Sequence, residues 1–166
     1  MANKGMCFGK ATELMITSML LEESRIVYLP VVDDHGVDIL VETRKRTANS
    51  CYDTDNETRL ETNSEHNIFP NSNQSNQNDY QELQVKAISN NNLLTRVSCT
   101  NPRANYWFVI FHKFLNTIWL INSLDFVRIA SQNKKGANAG CYSISLATKK
   151  GPKHKAYIIT NFSKLP

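Results

Sequence analysis

No apolar run in this sequence is long enough to cross a membrane. The longest, YWFVIF at 106–111 and TIWLI at 117–121, fall far short of the ~20 residues a helical span needs. The beginning, MANKGMCFGK, has no apolar stretch followed by a cleavage site, so no signal peptide is expected. Cysteine is scarce: Cys7, Cys51, Cys99 and Cys141 stand far apart and form no CxxC pair. That argues against a zinc site or a disulfide framework and for reduced thiols. There is no internal repeat, and no strong excess of one charge. The formal charge is +4, with a pI near 8.9, which permits a nucleic-acid partner without demanding one. These absences together predict a cytoplasmic protein with no membrane contact.

What remains is enough for one domain, 1–166, with a real core: 166 residues, 41% apolar and 20% charged. The spacing of Ala11, Leu14, Met15 and Met19 predicts a first helix over 9–24. Glu22 and Glu23 near its end oppose the helix dipole. RIVYLP (25–30) reads as a short strand stopped by Pro30, VVDDHG (31–36) as a turn, and VDILVE (37–42) as a second strand. Residues 43–80 change character. About half are Asn, Gln, Ser or Thr, and the apolar residues have no period. Such a stretch buries too little surface to offset its ordering entropy, and reads as a polar, mobile insertion between two strands.

QELQVKAI (81–88) is a third strand. Residues 89–105 leave a short strand or a helical turn open around Leu93 to Val97. YWFVIFH (106–112) and TIWLIN (117–122) form a hairpin. SLDFVRIA (123–130) starts like a helix capped by Ser123. NKKGANAG (133–140) is a loop. CYSISLA and KAYIIT are expected to make a last hairpin around the basic turn TKKGPKHK. The fold class predicted is α/β (α+β): an N-terminal helix, then a mixed central sheet with few helices.

Four side chains stand out from this scaffold. Glu13 lies on the first helix and Asp38 on the second strand. Gln84 and Lys86, two apart on the third strand, project to one face with Val85 on the other. A lysine between Leu83, Val85 and Ile88 is costly unless paired. If the second and third strands pair, Asp38 lies beside it. The chemistry such a set suits is metal-dependent phosphodiester hydrolysis. Asp38, the Gln84 amide oxygen and the Val85 backbone carbonyl are expected as oxygen ligands for a hard cation, Mg²⁺ or Mn²⁺. Lys86 would orient the nucleophile and offset developing charge.

With GVD on one strand and QVK on the next, the chain resembles the PD-(D/E)XK, or restriction-endonuclease-like, nuclease superfamily. It is most similar to branches with Gln in the second acidic place, such as Mrr-type restriction enzymes and some intron-encoded homing endonucleases. The upstream GKATE is similar to the helical Glu motif of Holliday-junction-resolvase-like members. The likeness covers roughly 9–42 and 81–122. It implies that Asp38 binds metal, Gln84 takes the Asp/Glu place, Lys86 is the catalytic lysine and Glu13 an auxiliary carboxylate and metal ligand. The activity implied is a DNA endonuclease, and cutting both strands implies a homodimer or higher oligomer.

Other readings stay open. Asp38 is also an ordinary strand-end acid and Lys86 an ordinary surface lysine. A nuclease-fold DNA-binding protein without cleavage, or a small interaction protein with a chance D…QVK match, fits the same residues. Asp33, Asp34 and His35 read as a solvated turn or a supporting cluster. Lys134, Lys135, Lys149, Lys150, Lys153 and Lys155, with Arg44, Lys45 and Arg46, are solvated loops or contacts to a phosphate backbone. His66, His112 and His154 read as structural or surface residues. Tyr106, Trp107, Phe108, Phe111 and Trp119 read as core.

Overall fold

The computed structural model describes residues 4–31, 36–43, 80–89, 94–97, 101–136, 139–148 and 150–166. In chain order they form α1 (Lys4–Glu22), β1 (Val27–Tyr28), β2 (Ile39–Glu42), β3 (Tyr80–Ile88), β4 (Leu94–Val97), β5 (Tyr106–His112), β6 (Thr117–Asn122) and α2 (Ser123–Ile129). These are followed by β7 (Ser131–Gln132), β8 (Tyr142–Ser145), β9 (Ala147–Thr148), β10 (Gly151–Pro152), a 3₁₀ turn (Lys155–Tyr157) and β11 (Ile158–Ile159). The class is α+β, as the sequence predicts: one long helix, a mixed central sheet and few other helices.

The central sheet runs β1-β2-β3-β5-β6-β11. Every neighbouring pair is antiparallel except β3 and β5, which run parallel with Lys86 beside Ile110. A parallel pair needs a crossover, commonly a helix. Here the described part of the crossover is a strand, β4, which joins β8 and β7 in a second sheet. That settles the open reading of 89–105 in favour of the strand. The expected polar insertion at 43–80 lies almost wholly outside the described residues; its last residue, Tyr80, is the first of β3.

Strict alternation gives the sheet two buried faces. Leu83, Val85, Val109, Ile118 and Leu120 meet Ile16 and Leu20 of α1 on one. Phe108, Ile110, Trp119 and Ile121 meet Phe126 of α2 and Ile144 and Leu146 on the other. Each fully buried large apolar side chain contributes roughly 1.5–3 kcal/mol, so this double layer fixes the register of β3. The aromatic residues of β5 and β6 are core, as their alternation predicts.

Three details differ from the sequence reading. The buried stripe of α1 is Thr12, Ile16 and Leu20, while Ala11 and Leu14 are exposed, and the helix begins at Lys4 rather than Gly9. Thr12 disguised the stripe: its hydroxyl donates to the Phe8 carbonyl at 2.9 Å, so a polar residue sits in the core with its donor satisfied. At α2 the cap is Asn122, whose side chain accepts from the Leu124 N–H at 3.0 Å. Ser123 is instead buried, exchanging hydrogen bonds with the backbone of Arg103. The last hairpin is also absent as drawn. β8 pairs with β4 and β7, β11 pairs with β6, and only the short β9–β10 turn remains local.

Candidate active site

Asp38 sits one residue before β2, where that strand begins beside β3. Its N–H donates to the Leu83 carbonyl at 2.9 Å. Its carboxylate accepts from the Val85 N–H at 2.6 Å. The side chain thus continues the pairing that the β2 backbone makes farther along. A strand residue turns its N–H and C=O to the same side, so the Val85 carbonyl faces the Asp38 side too. The expected pairing of the second and third strands, and with it the meeting of Asp38 and the QVK segment, is what the structure has.

Gln84 and Lys86 lie on one face of β3 together with Glu82, and Val85 is turned into the α1 core. Lys86 is half-buried. Gln84 is 8% exposed, and its Oε1 has no hydrogen-bond partner. Leaving a buried amide oxygen unmet costs roughly 1–3 kcal/mol. Its Nε2 end packs against Gly36, which has φ +69°; a Cβ there would lie 2.3 Å from that nitrogen. Gly36 is therefore required both by its backbone angle and by the space Gln84 fills. The Tyr106 hydroxyl donates to the Gly36 carbonyl at 3.3 Å and holds this turn down.

Beside Gln84 the same face is closed by an ionic network. Arg103 pairs with Glu82 and lies 4.4 Å over the Tyr106 ring, and Asn105 donates to Glu82 at 3.1 Å. Glu82 is thus committed to structure, which leaves the oxygens of Asp38, Gln84 and Val85 as the donor set on this stretch of β3.

Glu13 is placed differently. It lies on α1, which packs on the opposite face from Gln84 and Lys86. Its carboxylate accepts from the Lys10 ammonium at 2.6 Å. That hydrogen bond and the Glu13 charge, with Asp38 adding from farther off, hold the Lys10 pKa above the usual lysine value. Lys10 therefore links the two carboxylates electrostatically. Sequence reasoning missed Lys10, Gly36 and Tyr106. The Lys10–Glu13 spacing of three on a helix was the one readable signal.

The remaining candidates resolve simply. His112 is buried, with its Nδ1 accepting from the Leu115 N–H at 3.4 Å, which is a structural role. Asp33, Asp34, His35, Arg44, Lys45, Arg46, His66 and Lys149 lie outside the described residues. Among the described residues no three of His, Cys, Asp and Glu gather as a metal cluster, and no helix is long and apolar enough to cross a membrane.

No protein-family model matches the chain, and no curated protein matches it. Among solved structures, a bacterial homing endonuclease, I-Ssp6803I, is similar to it with a TM-score of 0.49 and 12% identity, over 94% of this chain and 89% of that one. A likeness of that size fixes neither a family nor an activity.

Proposed function

We propose that the chain is a divalent-metal-dependent DNA endonuclease of the restriction-endonuclease-like kind, centred on Asp38, Gln84 and Lys86. The observation that carries this reading is the buried, unpartnered Oε1 of Gln84, next in sequence to the Val85 N–H that the Asp38 carboxylate accepts. An oxygen held in that state suits a hard cation, whose preferred ligands are carboxylate and carbonyl oxygens. Asp38, Gln84 and the Val85 carbonyl would hold Mg²⁺ or Mn²⁺; Glu13, on the α1 side of the sheet and paired with Lys10, stands outside this set. Such an ion supplies charge stabilisation at a phosphate and a lowered pKa for water.

The chain's own residues do the rest. The Val85 N–H fixes the Asp38 carboxylate in one orientation. Gly36 and Tyr106 close the turn against Gln84, so its amide cannot swing away. Lys86, on the same face, orients the attacking water and offsets charge developing on the scissile phosphate. Cutting both strands of a duplex calls for two such sites, and hence for a homodimer or higher oligomer.

A second reading, a nuclease-fold protein that binds DNA without cutting, is favoured by two observations. Gln84 brings no negative charge, and Glu13 is paired with Lys10. Conversion of supercoiled plasmid to nicked and linear forms separates the two. The wild type is expected to cut with Mg²⁺ and not with EDTA. Asp38→Ala and Lys86→Ala are expected to lose at least a hundredfold in rate. Equal cutting by all three proteins would overturn the site. Binding without cutting in Mg²⁺ or Mn²⁺ would establish the second reading.

A further inference from the structure

The small net charge of the chain conceals two opposite poles. Residues 1–82 hold seven Lys and Arg against fourteen Asp and Glu. Residues 83–166 hold twelve Lys and Arg against a single acid, Asp125, and residues 126–166 hold eight against none. Asymmetry of this kind between halves of a chain marks an electrostatic partner.

The fold turns the second pole into a surface. Phe126, Ile144 and Leu146 pack a layer of α2, β7, β8 and β9 onto the sheet face that also carries Gln84 and Lys86. The Trp119 indole N–H donates to the Lys153 carbonyl at 2.9 Å, which anchors the end of the β9–β10 hairpin on that face. Across the sheet Lys86, Ile110 and Trp119 are in register. Lys153 is therefore held to a strand two over, roughly 10 Å across the sheet, from Lys86.

Lys134 and Lys135 are exposed in the turn before β8, and Lys150 and Lys153 are exposed after it, at its other end. None of the four has a carboxylate partner among the described residues; the one ion pair of this layer is Arg128 with Asp125. Cations without a carboxylate partner among the described residues at both ends of a layer, whose one acid is already paired, complement a polyanion. Of the rings here, Phe126 is fully buried, and Tyr142 and the neighbouring Tyr157 are partly buried against the core. A single strand would find no fully exposed ring among them to stack its bases on. A duplex, whose phosphates face outward, needs none.

We propose that this basic layer, whose single acid is the Asp125 paired with Arg128, is a grip for the backbone of duplex DNA, with Lys134 and Lys135 at one end and Lys150 and Lys153 at the other. The proposal rests on the nuclease reading for its partner, but it places binding and cutting on different residues. The test is binding to a fluorescent duplex of about three helical turns, in EDTA, from about 50 to 200 mM salt. Lys134→Ser/Lys135→Ser and Lys150→Ser/Lys153→Ser are each expected to flatten the log–log salt slope by roughly 1.8, at about 0.9 per phosphate contact. Nicking at saturating DNA in Mg²⁺ should stay within about twofold of wild type, since neither pair touches the reacting atoms.

Lys113→Ser is the control, because the Lys113 ammonium lies 5.5 Å over the Phe8 ring on the α1 side. It should leave the slope unchanged. If the paired variants keep the wild-type slope, or if Lys113→Ser lowers it as much per charge removed, the grip is wrong even where Asp38→Ala still abolishes nicking. If no protein nicks but the paired variants still flatten the slope and Lys113→Ser does not, the grip stands and the nuclease reading falls.

Discussion

At Gln84 a single side chain carries opposite demands. Its amide oxygen is buried without a donor, which works against the fold, and it is held there by Gly36 and the Tyr106 hydroxyl. Residues that trade stability in this way belong to working sites more often than to scaffolding. Gln84→Met keeps an unbranched chain and removes the unmet oxygen. It is expected to raise stability by about 1 kcal/mol, read as a higher midpoint in urea with an unchanged slope, while nicking is lost. A midpoint that falls instead would mean that the amide is structural. The residue pair Asp38 and Gln84 was legible in the sequence because a hairpin register needs only alternation and strand order. The reason Gln84 is tolerated was not. It depends on the left-handed backbone of Gly36 and on a tyrosine from β5, neither of which leaves a periodic trace.

Among the elements, α1 shows how a helix end is tied into the molecule. Ser24 adopts φ 58°, with its N–H to Leu21 and the Arg25 N–H to Leu20, the pair of bonds that ends many helices. Glycine is the usual residue at this place, since a side chain there costs roughly 1–2 kcal/mol. Ser24→Gly is expected to raise the thermal midpoint, through a gain of about 1 kcal/mol. No change would show that the Ser24 side chain repays its strain.

The neighbouring Glu23, unfavourable by dipole reasoning, accepts from the Phe162 N–H at 2.6 Å, and Arg25 donates to the Leu165 carbonyl at 2.7 Å. The tail of the chain thus closes over the helix end, with Phe162 and Leu165 in the α1 core. That contact explains an acid that local rules disfavour, and no local rule would have found it. The misread final hairpin has the same cause. KAYIIT has the pattern of a strand, but β11 takes its partner from β6, and nothing nearby in sequence names a distant edge.

For the molecule as a whole, element type was readable wherever a long period ran: the helix, the β5–β6 hairpin and the β3 strand. The pairing of the two sheets was not, because parallel β3 and β5 are joined through a strand in another layer. Charge tells the same story at a larger scale. The sum of +4 looks mild, yet the chain divides into an acidic half that carries Glu13 and Asp38 and a basic half that covers the face of Lys86.

Whether Asp38 and Gln84 hold a divalent cation can be measured without DNA. Titration of the protein with Mn²⁺, following the loss of the free-ion paramagnetic resonance signal, should show binding by the wild type. Asp38→Ala and Gln84→Met should each leave the ion free over the same range. Uptake by both variants equal to that of the wild type would contradict the site.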